Sequence, residues 1–210
     1  GNRNNEIGLP LAVIDAPEDA DFAIYEMGAG KPGDIAYLTD IVRPDVALVN
    51  NIAAAHLERM GSLLGVAQTK GAIYAALGAG GTAVVNADDA FGEWFQQEVI
   101  RARDSGRRVL RFGLDASAEV GARDIRPDAR GSRFVLLTPQ GEVEVQLALP
   151  GRHNVRNALA AAAIGLACGV ALEDIAAGLA EARPVTGRQV AHALAAGIEA
   201  MGLSFLVAEK

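Results

Sequence analysis

Apolar and polar positions change period several times along the chain, and the changes mark out alternating elements. Asp21–Met27 (DFAIYEM) and Asp45–Asn51 (DVALVNN) are short, largely apolar runs, the pattern of buried strands. Thr82–Asn86 and Arg108–Phe112 continue the series. Helical patterns lie between them, clearest over Leu64–Leu77, where Ala67, Ile73, Tyr74 and Leu77 recur at compatible spacing. Gly78–Gly81 stops that helix before the next strand. Strands alternating with helices predict an α/β fold, a mostly parallel sheet flanked by helices and joined by right-handed crossovers.

The texture changes near Gly113. Phe134–Thr138 and Glu142–Leu149 alternate in polarity and are separated by Pro139-Gln140-Gly141, a hairpin signal. A small antiparallel sheet attached to the parallel one follows from this. Two helices are then expected, Asn154–Gly169 and Leu172–Ala182, the second with Glu173 and Asp174 near its positive N-terminal end. There is no internal repeat and no low-complexity linker. The last stretch, Ile198–Lys210, is too short for a domain and reads as a tail after a body of residues 1–197.

Composition narrows the class. Half of the 210 residues are hydrophobic and only 5% aromatic, which fits a globular α/β protein with closely packed helices. No apolar run reaches the length of a membrane span, and the polar start, Gly1 to Glu6, lacks a signal-peptide pattern. A single cysteine, Cys168, excludes an internal disulfide and points to the reducing cytoplasm. The net charge of −7 argues against a nucleic-acid surface. Arginines do cluster over 101–111, but acids flank them, as on a solvated helix end.

Several residues have chemistry to offer. Glu26 closes the first strong strand, just before Gly28-Ala29-Gly30. Ligands of open α/β sheets bind beyond the carboxyl ends of strands, so this carboxylate suits Mg²⁺; hydrogen bonds to loop amides are the other reading. His56 follows the second strand by a short loop and is either a structural hydrogen-bonding residue or a ligand. Lys70 lies inside an apolar helix, where a lysine ordinarily snorkels to solvent. Its neighbour Gly71 costs roughly 1 kcal/mol relative to alanine, a cost that close approach of another group would justify. Asn154 and Asn157 lie three apart in the first turn of a helix, so both amides sit near one face. Two amides there suit an adenine edge, whereas capping accounts only for Asn154. Arg188, after Thr186-Gly187, suits a phosphate or ribose.

Read together, GNRNNEIGLP at 1–10, YEMGAG at 25–30, VNNIAAAHLERMGS at 49–62, VVNADD at 84–89 and LPGRHNVRNALAAAA at 149–163 resemble the central, ATP-binding domain of the Mur ligases. The resemblance spans about residues 1–197. Within that family the motifs are most similar to the members that add D-alanyl-D-alanine to UDP-N-acetylmuramoyl-tripeptide in peptidoglycan biosynthesis. NNEIG and AAAHLE speak against a diaminopimelate-adding sister or a folylpolyglutamate synthetase. A non-catalytic nucleotide- or metal-binding module is the reading from another class.

The resemblance implies roles for individual residues. Glu26 and His56 match metal ligands, and Lys70, fourteen residues after His56, matches a lysine carried as a carbamate. Asn154 and Asn157 match asparagines beside adenine, Arg188 an arginine on ATP, and Asn5 an asparagine lining the reaction centre. ATP and Mg²⁺ are the implied cofactors. The family's phosphate loop, GxxGK[ST], occurs nowhere in these 210 residues, and Ile198–Lys210 does not resemble the start of the family's C-terminal domain. The chain is therefore expected to be catalytically silent by itself.

Overall fold

The computed structural model describes residues 3–54, 56–101, 106–128, 130–183 and 204–209. They fall into two compact units, one of residues 1–85, 89–109 and 201–210, the other of residues 86–88 and 110–200.

The first unit is built on strands β1 (Phe22–Met27), β2 (Val46–Val49) and β3 (Thr82–Asn86), close to the runs their apolar content predicts. β2 and β3 pair in parallel, with Val49 opposite Val85. Between β1 and β2 runs a strand from the far end of the chain, β8 (Ser204–Glu209), antiparallel to both. Part of the segment read as a tail is thus a sheet strand. The sheet order is β1-β8-β2-β3-β4, where β4 is Arg108–Phe112.

Alternation along β1 leaves Phe22 and Ile24 exposed and turns Tyr25 and Met27 into the core. β2 and β3 are buried throughout, as interior strands must be. The helices of this unit are α1 (Gly8–Ile14), α2 (Asp34–Val42), the one-turn α3 (Leu57–Met60) and α4 (Leu63–Ala75). After β3 come α5 (Gly92–Trp94) and a π-helical turn, Phe95–Ile100. Leu9, Met27, Ile35, Leu38, Val49, Ile73, Tyr74, Val85 and Phe95 form one core cluster.

α4 starts where Ser62 accepts the N–H of Gly65 at 3.0 Å, an N-cap. Its buried residues, from Val66 to Tyr74, cover one broad face, while Leu63, Leu64 and Gln68 are exposed. Gly71 has the reason that its helical cost demanded. A Cβ there would stand 2.9 Å from Cε1 of Phe95, so the ring packs where a side chain would be.

The second unit carries the expected antiparallel sheet, β6 (Gly131–Thr138) and β7 (Gly141–Leu147), plus a third strand, β5 (Gly121–Asp128). β5 pairs with β6 through an irregularity between Arg123 and Arg126. That break, with Pro127 beyond it, interrupts the alternation by which a sequence announces a strand. Helices α6 (Arg152–Ala167) and α7 (Leu172–Glu181) follow, with α7 against β7. Among the described residues no helix is long and apolar enough to cross a membrane.

Candidate functional site

Glu26 is half-buried near the carboxyl end of β1, and its Oε1 accepts the side-chain N–H of Asn4 at 2.7 Å. The carbonyl of Asn4 takes the N–H of Gly28 at 2.7 Å, so one residue fixes both the carboxylate and the exit of β1. Asn5 closes the turn that leads into α1: its Oδ1 accepts the N–H groups of Ile7 at 3.2 Å and Gly8 at 2.8 Å. The loop after β1 is closed by Asp34, whose Oδ2 accepts the N–H groups of Gly30 and Lys31.

His56 sits beyond the carboxyl end of β2 with a left-handed backbone, φ 51°. Few non-glycine residues adopt that region, and they gather at functional sites, which turns an observed strain into a question about role. The imidazole is more than half exposed, with Nδ1 4.0 Å from Glu58. The carbonyl of His56 receives the N–H groups of Arg59 and Met60, starting α3. α3 docks on α4: the Thr69 hydroxyl lies 3.4 Å from the Met60 sulfur, and the Met60 carbonyl occupies the space a Cβ on Gly65 would need.

Lys70 does not snorkel. The residue is 6% exposed, and burial lowers its amine from the usual value of 10.5 to about 8, against the opposite pull of the Asp89 charge. Asp89 follows β3, and its Oδ2 accepts the N–H of Ile52 at 2.8 Å, in the loop that leads to His56. One turn beyond Lys70, the buried Tyr74 hydroxyl donates to the carbonyl of Val84 at 2.7 Å and accepts the N–H of Val49 at 2.9 Å. α4 is thereby pinned to the end of β2 and the middle of β3, and the loop of His56 is tied to a carboxylate that acts on Lys70. The sequence marked Tyr74 only as an apolar position of the helix, and Asn4 and Asp89 only as members of longer motifs, none of them as a site residue. The one signal was the pair of consecutive acids Asp88 and Asp89, separated by one residue from the end of a strand.

A family model described as the Mur ligase middle domain matches residues 1–165. The chain belongs to the Mur ligase family. The UDP-N-acetylmuramoyl-tripeptide–D-alanyl-D-alanine ligase of Escherichia coli (strain K12) is 45% identical over 90% of this chain, and the match covers 41% of that protein. The ligase of the same name from Haemophilus influenzae is 43% identical over 90% of the chain and 39% of its own length. Among solved structures, a crystal structure of MurF from Acinetobacter baumannii superposes with a TM-score of 0.83 at 37% identity, covering 90% of this chain and 40% of that one. The chain thus spans about two fifths of the length of the relatives it matches.

The second unit of this Mur ligase domain holds the residues the family likeness sets beside adenine. Asn154 and Asn157 lie in the first turns of α6. The capping reading of Asn154 fails: the N-cap is Gly151 at φ 98°, and the Asn154 amide instead donates to the Pro150 carbonyl at 2.7 Å. Asp88 orders the loop after β4, accepting the N–H groups of Leu114 at 2.7 Å, Asp115 at 3.0 Å and Ala116 at 2.9 Å. Arg156 of α6 stands 3.5 Å from the same carboxylate. Burial works against the charge of Asp88, but these N–H groups and Arg156 outweigh it and hold the carboxyl below its usual range. Arg188 lies outside the described residues.

No three His, Cys, Asp or Glu side chains form a metal-holding group among the described residues. Glu26 and His56, the donors that the family likeness implies, do not make such a group by themselves, so a third donor would have to be a group of another kind. Lys70 fits, because an amine with a value near 8 is neutral in part of its population at neutral pH and can bond to CO₂. The Asn51 Oδ1, buried in the loop of His56 without a hydrogen-bond partner, is a further oxygen in that loop.

Proposed function

We propose that this chain is the ATP-binding part of a cytoplasmic ligase that joins D-alanyl-D-alanine to UDP-N-acetylmuramoyl-tripeptide in peptidoglycan biosynthesis. The substrate class rests on relatives at 43–45% identity that bear that name. The observation that carries the chemistry is Lys70, a buried lysine with a depressed amine value on a helix docked to the loop of His56. A buried cation is a liability in a purely structural role, whereas a reactive neutral amine has a use.

In this reading the Lys70 nitrogen bonds to the carbon of CO₂ and releases a proton, and the anionic carbamate, with Glu26 and His56, would hold Mg²⁺. When bound, the ion would supply charge neutralisation for phosphoryl transfer to a carboxylate. That carboxylate takes the phosphoryl group, and the amine of D-alanyl-D-alanine then displaces phosphate from the acyl phosphate, releasing ADP and phosphate overall. Asn4 holds Glu26 at its station. Asn154 and Asn157 receive the adenine edge, Arg188 contacts ATP, and Asn5 lines the reaction centre from the start of α1.

The test uses the full-length ligase. Lys70→Ala and His56→Ala each lower the ligation rate by roughly a hundredfold or more, since each removes a donor around developing charge. Short-chain carboxylates partly restore Lys70→Ala by replacing the missing oxygens. Full activity of the unrescued Lys70→Ala enzyme rules the carbamate out.

A further inference from the structure

Asp89 divides its carboxylate between two backbone segments. Its Oδ1 accepts the N–H of Phe91 at 2.9 Å, and its carbonyl accepts that of Gly92 at 2.9 Å, building the turn into α5. Its Oδ2 reaches a different part of the chain, the N–H of Ile52 at 2.8 Å. Ile52 packs against the core and stands four residues before His56, in a loop that lies outside any helix or strand. The charge of Asp89 is also felt at Lys70 and at Tyr74, so the carboxylate is within electrostatic reach of α4.

We propose that Asp89 is the positioning residue of this site: by taking the Ile52 N–H it fixes the loop that presents His56, while its other oxygen anchors it to the start of α5. The proposal rests on the function proposed above for its catalytic consequence, but its structural content does not. A carboxylate bond to a backbone N–H is among the stronger hydrogen bonds. It suits a loop that must hold an exposed imidazole on a strained, left-handed residue. Asn cannot do both jobs. With Oδ1 on Phe91, the amide turns an N–H toward the N–H of Ile52, donor against donor.

Amide hydrogen exchange of the chain tests this without turnover. Asp89→Asn speeds exchange at Ile52 by about tenfold or more, the loss expected for one charge-assisted hydrogen bond, and leaves Phe91 and Val49 protected. Asp89→Glu, which keeps the charge on a longer stem, recovers part of the Ile52 protection. In the full-length ligase, Asp89→Asn lowers kcat and raises the Mg²⁺ concentration for half-maximal rate, with the KM for D-alanyl-D-alanine unchanged. Unaltered Ile52 exchange in both variants overturns the proposal. So does loss of protection at Ile52, Val49 and Phe91 together in both, which marks a general structural role. Altered Ile52 exchange in a ligase that tolerates Lys70→Ala leaves the loop contact standing and removes the carbamate reading alone.

Discussion

Lys70 pulls stability and chemistry in opposite directions. As a free amine it is lowered to about 8 in the folded chain from an ordinary 10.5, so below pH 8 the uncarbamylated fold carries the cost of a buried cation. Between pH 8 and 10.5 the unfolded chain holds more protons than the folded one, and stability rises with pH across that window. At about 1.4 kcal/mol per pKa unit, the relief is of order 3 kcal/mol. Lys70→Met is therefore expected to be more stable than the parent at pH 7, and the advantage shrinks as pH climbs from 8 to 10.5. Urea unfolding of both proteins at a series of pH values measures this, and a pH-independent difference refutes it. At neutral pH, ¹³C-labelled bicarbonate should yield a carbamate signal that Lys70→Met lacks.

The features of α4 are set by its neighbours. Removing the Tyr74 hydroxyl strips a buried bridge between Val49 at the end of β2 and Val84 in the middle of β3, so Tyr74→Phe should cost about 1–3 kcal/mol. Gly71→Ala sets two effects against each other. Helix propensity favours alanine by about 1 kcal/mol, while overpacking against Phe95 costs about 1–3. Phe95 sits edge-on to both Tyr74 and Trp94, with ring centroids 5.3 Å away in each case, so it has little freedom to retreat. Net destabilisation near 1 kcal/mol is expected, read from denaturant midpoints. A stabilised Gly71→Ala protein means the ring yields more easily than its contacts imply.

At the scale of the whole molecule, the chain carries amides suited to a base but no GxxGK[ST] loop anywhere in its 210 residues. Such a loop supplies the backbone N–H cradle and the lysine that hold phosphates, and most of the energy of ATP binding goes with it. The purified chain should fold, bind Mg-ATP only weakly and release no phosphate. Calorimetry with Mg-ATP decides. Sub-micromolar binding means the phosphates are held by a route other than a phosphate loop.

Strands β1 to β4, helix α4 and the β6–β7 hairpin were all legible in the sequence, because each depends on local periodicity and on glycines that end or turn the chain. Glu26 and His56 were legible as chemistry because each stands at the end of a readable strand. Only the tertiary structure decided that Lys70 is buried, since its helix is apolar on every side and nothing local says which turn faces the sheet. It also decided that Ser204–Glu209 enters the sheet between β1 and β2, a pairing between the far end of the chain and two strands over 150 residues earlier. The partnerships of Asn4 with Glu26 and Asp89 with Ile52 join residues 22 and 37 apart. A hydrogen bond at that separation leaves no mark on the order of residues, because it exists only once the sheet has brought its carboxyl ends together.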